Sequence, residues 1–128
     1  MKALVLEDAS VALTALRSLL DRLPEVQEVR VAELIADAKQ ICRSFSPDLA
    51  VLDVLLPDGN GMELIHTIRS VNPKARIVVL SYYANVHGSQ ALRAGADMFL
   101  DKSAGFDAMG QSLSAWVAQL ARTERQSI

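Results

Sequence analysis

The chain has 128 residues, 51% of them hydrophobic and 22% charged, with a formal net charge of -2. Those proportions fit one soluble globular domain built on a single core. No apolar run approaches the ~20 residues of a membrane helix, Glu7 and Asp8 break the opening MKALVLEDAS too early for a signal peptide, and the weak acidity gives no electrostatic case for direct nucleic-acid binding.

Residues 3–6 predict a first strand, near-continuously apolar as a strand buried on both faces should be. A helix follows, with Leu13, Leu16, Leu20 and Leu23 on one face, Ser10 as its cap and Pro24 as its stop. Residues 26–31 predict a weaker edge strand, alternating through Val26, Glu28 or Val29, and Val31. Leu34, Ala38, Ile41 and Phe45 form a second helical stripe, ended by Ser46-Pro47. Cys42 lies among these apolar positions as a small buried hydrophobe. It is the only cysteine and cannot form an internal disulfide, so a reducing cytoplasm is the expected setting.

Residues 49–53, LAVLD, predict the third strand, and PDGNG is a turn into a third helix carrying Leu64, Ile65, Ile68 and Val71. Residues 77–80 form a fourth apolar run. A short alanine-rich helix over 85–94 follows, with Gly95 placed to end it. Residues 98–100 predict the fifth strand, and Phe106, Met109, Leu113, Val117 and Leu120 a fifth helix. The domain is expected to span residues 1–121, with 122–128 as a polar, fraying tail. His66 and His87 lack a second histidine at metal-ligand spacing and are assigned surface roles. Trp116 belongs either to the core or to a partner surface, packing being the commoner case.

Strand and helix alternate five times, which predicts an α/β domain with a parallel sheet and right-handed crossovers. The expected arrangement is a flavodoxin-like (βα)5 fold of strand order 2-1-3-4-5, with ligands at the carboxyl ends of the strands near the first and third. Strand 1 ends in Glu7-Asp8, strand 3 in Asp53, strand 4 in Ser81, and strand 5 runs into Lys102. Two carboxylates ~5 Å apart repel by roughly 3 kcal/mol at an effective dielectric near 20. Three such groups must gain protons, a cation or both, and hard carboxylate oxygens suit Mg²⁺ better than zinc. A metal, an ammonium, a hydroxyl donor and a nucleophilic carboxylate are together what an acyl phosphate needs.

The motifs VLEDAS, LAVLDVLLPDGNG, VVLSYYA and AGADMFLDKSA, in that order on those elements, resemble a response regulator receiver domain from Met1 to about Ala121. The resemblance implies that Asp53 is the phosphoacceptor of a two-component system. It implies that Asp8 and Asp53 bind Mg²⁺ directly, with the backbone carbonyl of Leu55 as a further ligand and Glu7 supporting the ion indirectly. Ser81 and Lys102 would contact the phosphoryl group. Phe99 falls at the switch-aromatic position, although ordinary core packing explains it equally well. The implied upstream partner is a histidine kinase or a histidine phosphotransfer protein. Readout would occur on the last two strand–helix units, where an unidentified partner or a second copy docks.

Three positions depart from the common receiver form. Ser103 follows Lys102 where many receivers carry a cis proline, which moves the resemblance toward the LuxR/FixJ-like branch and leaves the geometry of the Lys102–Ser103 peptide open. Tyr82 either narrows access to the acyl phosphate or points outward. Leu55 cannot orient attacking water by a hydrogen bond, so slow autodephosphorylation is expected. Alternative functions are a phosphorylation-independent interaction module and the amino-terminal regulatory domain of a longer DNA-binding regulator. An aspartyl phosphatase of the haloacid-dehalogenase type would want an acid at Leu55, and Glu7-Asp8 would repel the phosphate of a flavin.

Overall fold

A computed structural model describes residues 1–126. Five parallel strands, β1 (Lys2–Leu6), β2 (Glu28–Ala32), β3 (Leu49–Asp53), β4 (Arg76–Ser81) and β5 (Met98–Asp101), form one sheet of order β2-β1-β3-β4-β5. The expected topology is therefore the one found. The strands alternate with helices α1 (Ser10–Asp21), α2 (Ile35–Phe45), α3 (Leu64–Val71), α4 (Ala84–Arg93) and α5 (Phe106–Gln126).

Strand periodicity divides the core in two. Leu4, Leu6, Ala50, Leu52, Ile77 and Val79 face Ile35, Ala38 and Cys42 of α2, Leu64, Ile65 and Ile68 of α3, and Ala91 of α4. The intervening residues Ala3, Val5, Leu49, Val51, Val78 and Leu80 face Leu16 and Leu20 of α1 and Met109, Leu113 and Val117 of α5. With helices on both faces, β3 is buried along its whole length, which is why it reads as an unbroken apolar run up to its terminal acid. Cys42 is wholly buried, and desolvation pushes its thiol up to about 11, as befits a packing residue. Trp116 packs, partly buried, against the α1–α5 half of the core.

Several local expectations need correcting. Ala9, not Ser10, is the residue before α1, and no side chain caps that helix. The second strand begins at Glu28 and buries Val29 and Ala32, with Val26 packed just ahead of it. α5 continues through Gln126, so the stretch from Arg122 is helical rather than frayed; residues 127 and 128 of the expected tail lie outside the described residues. Long aliphatic and charged residues of good helix propensity carry the helix on past the point where its core contacts end. Among the described residues no helix is long and apolar enough to cross a membrane.

The PDGNG turn has more structure than expected. Leu55–Leu56 and Gly59–Asn60 pair as a two-residue antiparallel ribbon. From its tip, Asp58 reaches α2, where its two oxygens accept the backbone N–H groups of Ile35 (2.9 Å) and Ala36 (3.1 Å). Those N–H groups have no partner within the helix, so Asp58 is the cap that α2 lacks locally. The hydrogen bond from Ile35 is the main cause holding the Asp58 carboxyl below the usual range. Stability gained from a depressed carboxyl is present above its unfolded pKa and is lost as pH falls through the folded one. Asp58→Ala is accordingly expected to lower the urea midpoint at neutral pH, with the difference from wild type closing as the carboxylate protonates. A difference independent of pH would mean that the cap does not contribute.

Gly61 closes the turn. A Cβ there would lie 1.8 Å from the carbonyl oxygen of Asp53, so only glycine lets the ribbon fold back against the end of β3. Gly61 N–H donates to the Val54 carbonyl at 2.8 Å. The geometry of the chain just after Asp53 thus depends on a residue eight positions downstream.

Candidate functional site

The register brings the sequence candidates to one edge. Leu6 pairs with Leu52, so Glu7 and Asp53 lie side by side just beyond. Asp53 pairs with Leu80, so Ser81 follows on its other side, and Ser81 pairs with Asp101, directly before Lys102. One carboxylate oxygen from each of Glu7, Asp8 and Asp53 lies within 4.8 Å of the other two. Glu7, Asp53 and Ser81 are buried, whereas Asp8 is exposed at the mouth.

Lys102 holds this cluster together. Its Nζ lies 2.6 Å from Glu7 Oε2 and 3.1 Å from Asp53 Oδ1, with little of the side chain exposed. The other Glu7 oxygen accepts the Ala9 N–H at 3.1 Å, and Asp53 Oδ1 also accepts the Val54 N–H at 3.0 Å. Burial works against the ammonium charge, but the Glu7 hydrogen bond and the charges of Asp53 and Glu7 outweigh it and hold the Lys102 pKa above its ordinary value. For Asp53 the balance runs the other way. Burial and then the Glu7 charge raise its pKa from 3.8 to about 6, against the opposing pull of Lys102 and the Val54 N–H.

Three carboxylates facing one ammonium are short of positive charge. All the donors are hard oxygens, and exposed Asp8 leaves the cluster open to solvent. This set fits a hydrated divalent cation such as Mg²⁺ and would suit zinc or copper poorly.

The remaining candidates surround the cluster. Leu55 opens the ribbon two residues past Asp53, its side chain 57% exposed. Tyr82 is 65% exposed, yet its ring lies against the site, with Lys102 Nζ 5.3 Å from its centroid. The ring is thus largely exposed and also lies beside the lysine. With Val11 and Phe106 it edges a cleft of about 300 Å³ between the starts of α1 and α5. Ser103 needs no special peptide, since no described peptide bond is cis. Instead Asp101 accepts both the Ser103 N–H (2.9 Å) and its hydroxyl (2.6 Å), which fixes the tight turn after Lys102. Phe99 is half-buried and packs on the α2–α4 half of the core.

One residue assigned to the surface belongs here. His87 is half-buried in the first turns of α4, with Nδ1 2.7 Å from Ser81 Oγ. A search for metal-ligand spacing misses it, because the contact joins a strand end to a helix six residues on. His66, by contrast, is exposed on α3.

Residues 3–114 match the family of the response regulator receiver domain. The chain belongs to that family. This receiver domain is 36% identical over 103 residues to the DNA-binding transcriptional activator DevR/DosR of Mycobacterium tuberculosis, a match covering 80% of the chain and 48% of the relative. Its fold superposes on the response regulator domain of Thermotoga maritima CheB with a TM-score of 0.82 at 24% identity, covering 93% and 94% of the two chains. A response regulator from Burkholderia pseudomallei, whose crystal structure has a phosphorylated aspartic acid, a calcium ion and citrate, gives a TM-score of 0.72 at 28% identity, over 98% of this chain and 74% of the other. The receiver spans about half the length of the curated relatives it matches. It is a receiver domain of a two-component response regulator.

Proposed function

We propose that Asp53 is the phosphoacceptor, taking a phosphoryl group from a phosphohistidine on a histidine kinase or histidine phosphotransfer protein. The observation that carries this reading is the environment of Asp53. It is a buried carboxylate at a strand end with Lys102 at 3.1 Å and Glu7 and the exposed Asp8 beside it. The Burkholderia relative, with its phosphorylated aspartic acid, supports the same chemistry.

In the proposed step an Asp53 oxygen attacks phosphorus, the P–N bond breaks, and the donor histidine departs with that electron pair and regains a proton. Asp8 and Asp53 would hold Mg²⁺ directly, with the Leu55 carbonyl as a further ligand and Glu7 as indirect support. When bound, the ion supplies charge neutralisation for the phosphoryl oxygens. Lys102, already bridging Glu7 and Asp53, supplies a second positive charge, and the Ser81 hydroxyl a hydrogen bond. The exposed apolar residues Val11, Tyr82 and Phe106 line a cleft that Lys102 also lines, and with exposed Leu55 two residues past Asp53 they would give a protein donor an apolar contact surface. The relation to DevR/DosR favours control of a DNA-binding output.

Beryllofluoride with Mg²⁺ is expected to raise the thermal midpoint of wild type and to leave Asp53→Asn unmoved. No response to the mimic would favour the phosphorylation-independent module instead.

Two flanking residues set the kinetics. Truncating the ring over Lys102, Tyr82→Ala, is expected to raise the rate of labelling by a small acyl phosphate several-fold; equal rates would show that the ring does not narrow access. Leu55 offers attacking water no hydrogen bond, so the acyl phosphate is expected to persist. Leu55→Asn should shorten its half-life, measured by the decay of the phosphorylated mass.

A further inference from the structure

The Ser81 hydroxyl has one proton and two lone pairs. Its oxygen accepts the Tyr83 N–H at 3.0 Å, and the side chain is buried. Ser81 Oγ and Nδ1 of His87 are 2.7 Å apart, and with the imidazole proton on Nε2 that Nδ1 is the acceptor for the Ser81 proton. His87 is tied into the start of α4: its backbone N–H donates to the Tyr83 carbonyl at 2.8 Å, and its ring meets the Tyr83 ring edge-on at 5.9 Å. The next residue is Gly88, where a Cβ would sit 3.9 Å from Cδ1 of Phe99. The Phe99 ring thus lies beside the residue that follows the partner of Ser81 on the same helix.

We propose that His87 is a positioning residue that latches Ser81. With Asp53 unmodified, Ser81 donates to His87 Nδ1. A phosphoryl oxygen on Asp53 competes for that same proton, so the Ser81–His87 hydrogen bond breaks when Asp53 is modified, and the change reaches α4 at His87 and Gly88. No covalent bond changes in this step; one hydrogen bond is exchanged for another. The inference rests on the phosphoacceptor reading above and adds to it the residue through which Ser81 is coupled to α4.

The test is imidazole and backbone ¹⁵N NMR of the intact chain with Mg²⁺, before and after beryllofluoride, in wild type, in Ser81→Ala and in Asp53→Asn. The latch predicts a hydrogen-bonded Nδ1 resonance for His87 in the unmodified protein. That resonance should move to the same free position on adding beryllofluoride as it does in Ser81→Ala. Asp53-dependent shifts elsewhere with an unmoved His87 resonance would overturn the latch and leave the phosphoacceptor reading standing. No Asp53-dependent shift anywhere would overturn both.

The variants give an independent arm. His87→Leu should lower the beryllofluoride concentration for half-saturation about fivefold, the equivalent of one net hydrogen bond. His87→Asn keeps an acceptor at the δ position and should stay near wild type. In the Ser81→Ala background, His87→Leu should change nothing. An undiminished effect in that background would show that His87 acts through packing, against the proposal.

Discussion

Lys102→Met is expected to cost about 3 kcal/mol of folding stability near neutral pH in the absence of divalent cations, read from urea denaturation. The substitution keeps most of the side-chain volume but leaves Glu7 and Asp53, both buried, without their shared counter-charge. Breaking a buried ion pair by removing one partner typically costs about 3–5 kcal/mol. The lower end applies because Asp53, already raised to about 6, can take up a proton instead. The loss should therefore shrink as pH falls through that value, where the two acids need share only one charge. A loss of equal size at pH 5 and pH 8 would mean that the lysine matters through packing alone.

Asp53→Asn is expected to act in the opposite direction on stability while abolishing phosphoryl uptake. A carboxyl pKa raised from 3.8 to about 6 means that the native state holds its proton more tightly than the unfolded chain does. Between those values the native state binds more protons, so stability falls as pH rises, by about 3 kcal/mol in all. The amide removes that penalty, in which the opposing pull of Lys102 is already included. A net gain of up to about 3 kcal/mol above pH 7 without divalent cations follows, fading toward pH 4. Mg²⁺ should stabilise wild type and have little effect on the variant. A variant less stable than wild type at pH 8 would contradict the strained balance of charge assigned to Asp53.

Both results turn on a site much of which could be read from the residues. Apolar runs ending in acids announce buried strands that deliver carboxylates to one edge, and Glu7, Asp8, Asp53, Ser81 and Lys102 all arrive there because parallel strands with short connections leave little choice of register. What escaped notice depends on distances the chain order does not express. Asp58 looks like a turn residue, yet it caps a helix that begins 23 positions earlier. Gly61 looks like a helix start, yet its missing Cβ makes room for the Asp53 carbonyl. His87 shows no ligand spacing and becomes relevant only once Ser81 and the first turns of α4 are seen in contact. The helical stretch beyond Ala121 carries no apolar stripe of its own, so composition alone marked it as a tail.

The central claim is that Asp53 carries the phosphoryl group, and intact-protein mass spectrometry tests it most directly. Wild type incubated with a small acyl phosphate and Mg²⁺ should gain the mass of one phosphoryl group, and peptide mapping should place it on Asp53. The gain should disappear with a chelator and in Asp53→Asn. Labelling that persists in Asp53→Asn, or that maps to another residue, would contradict the account.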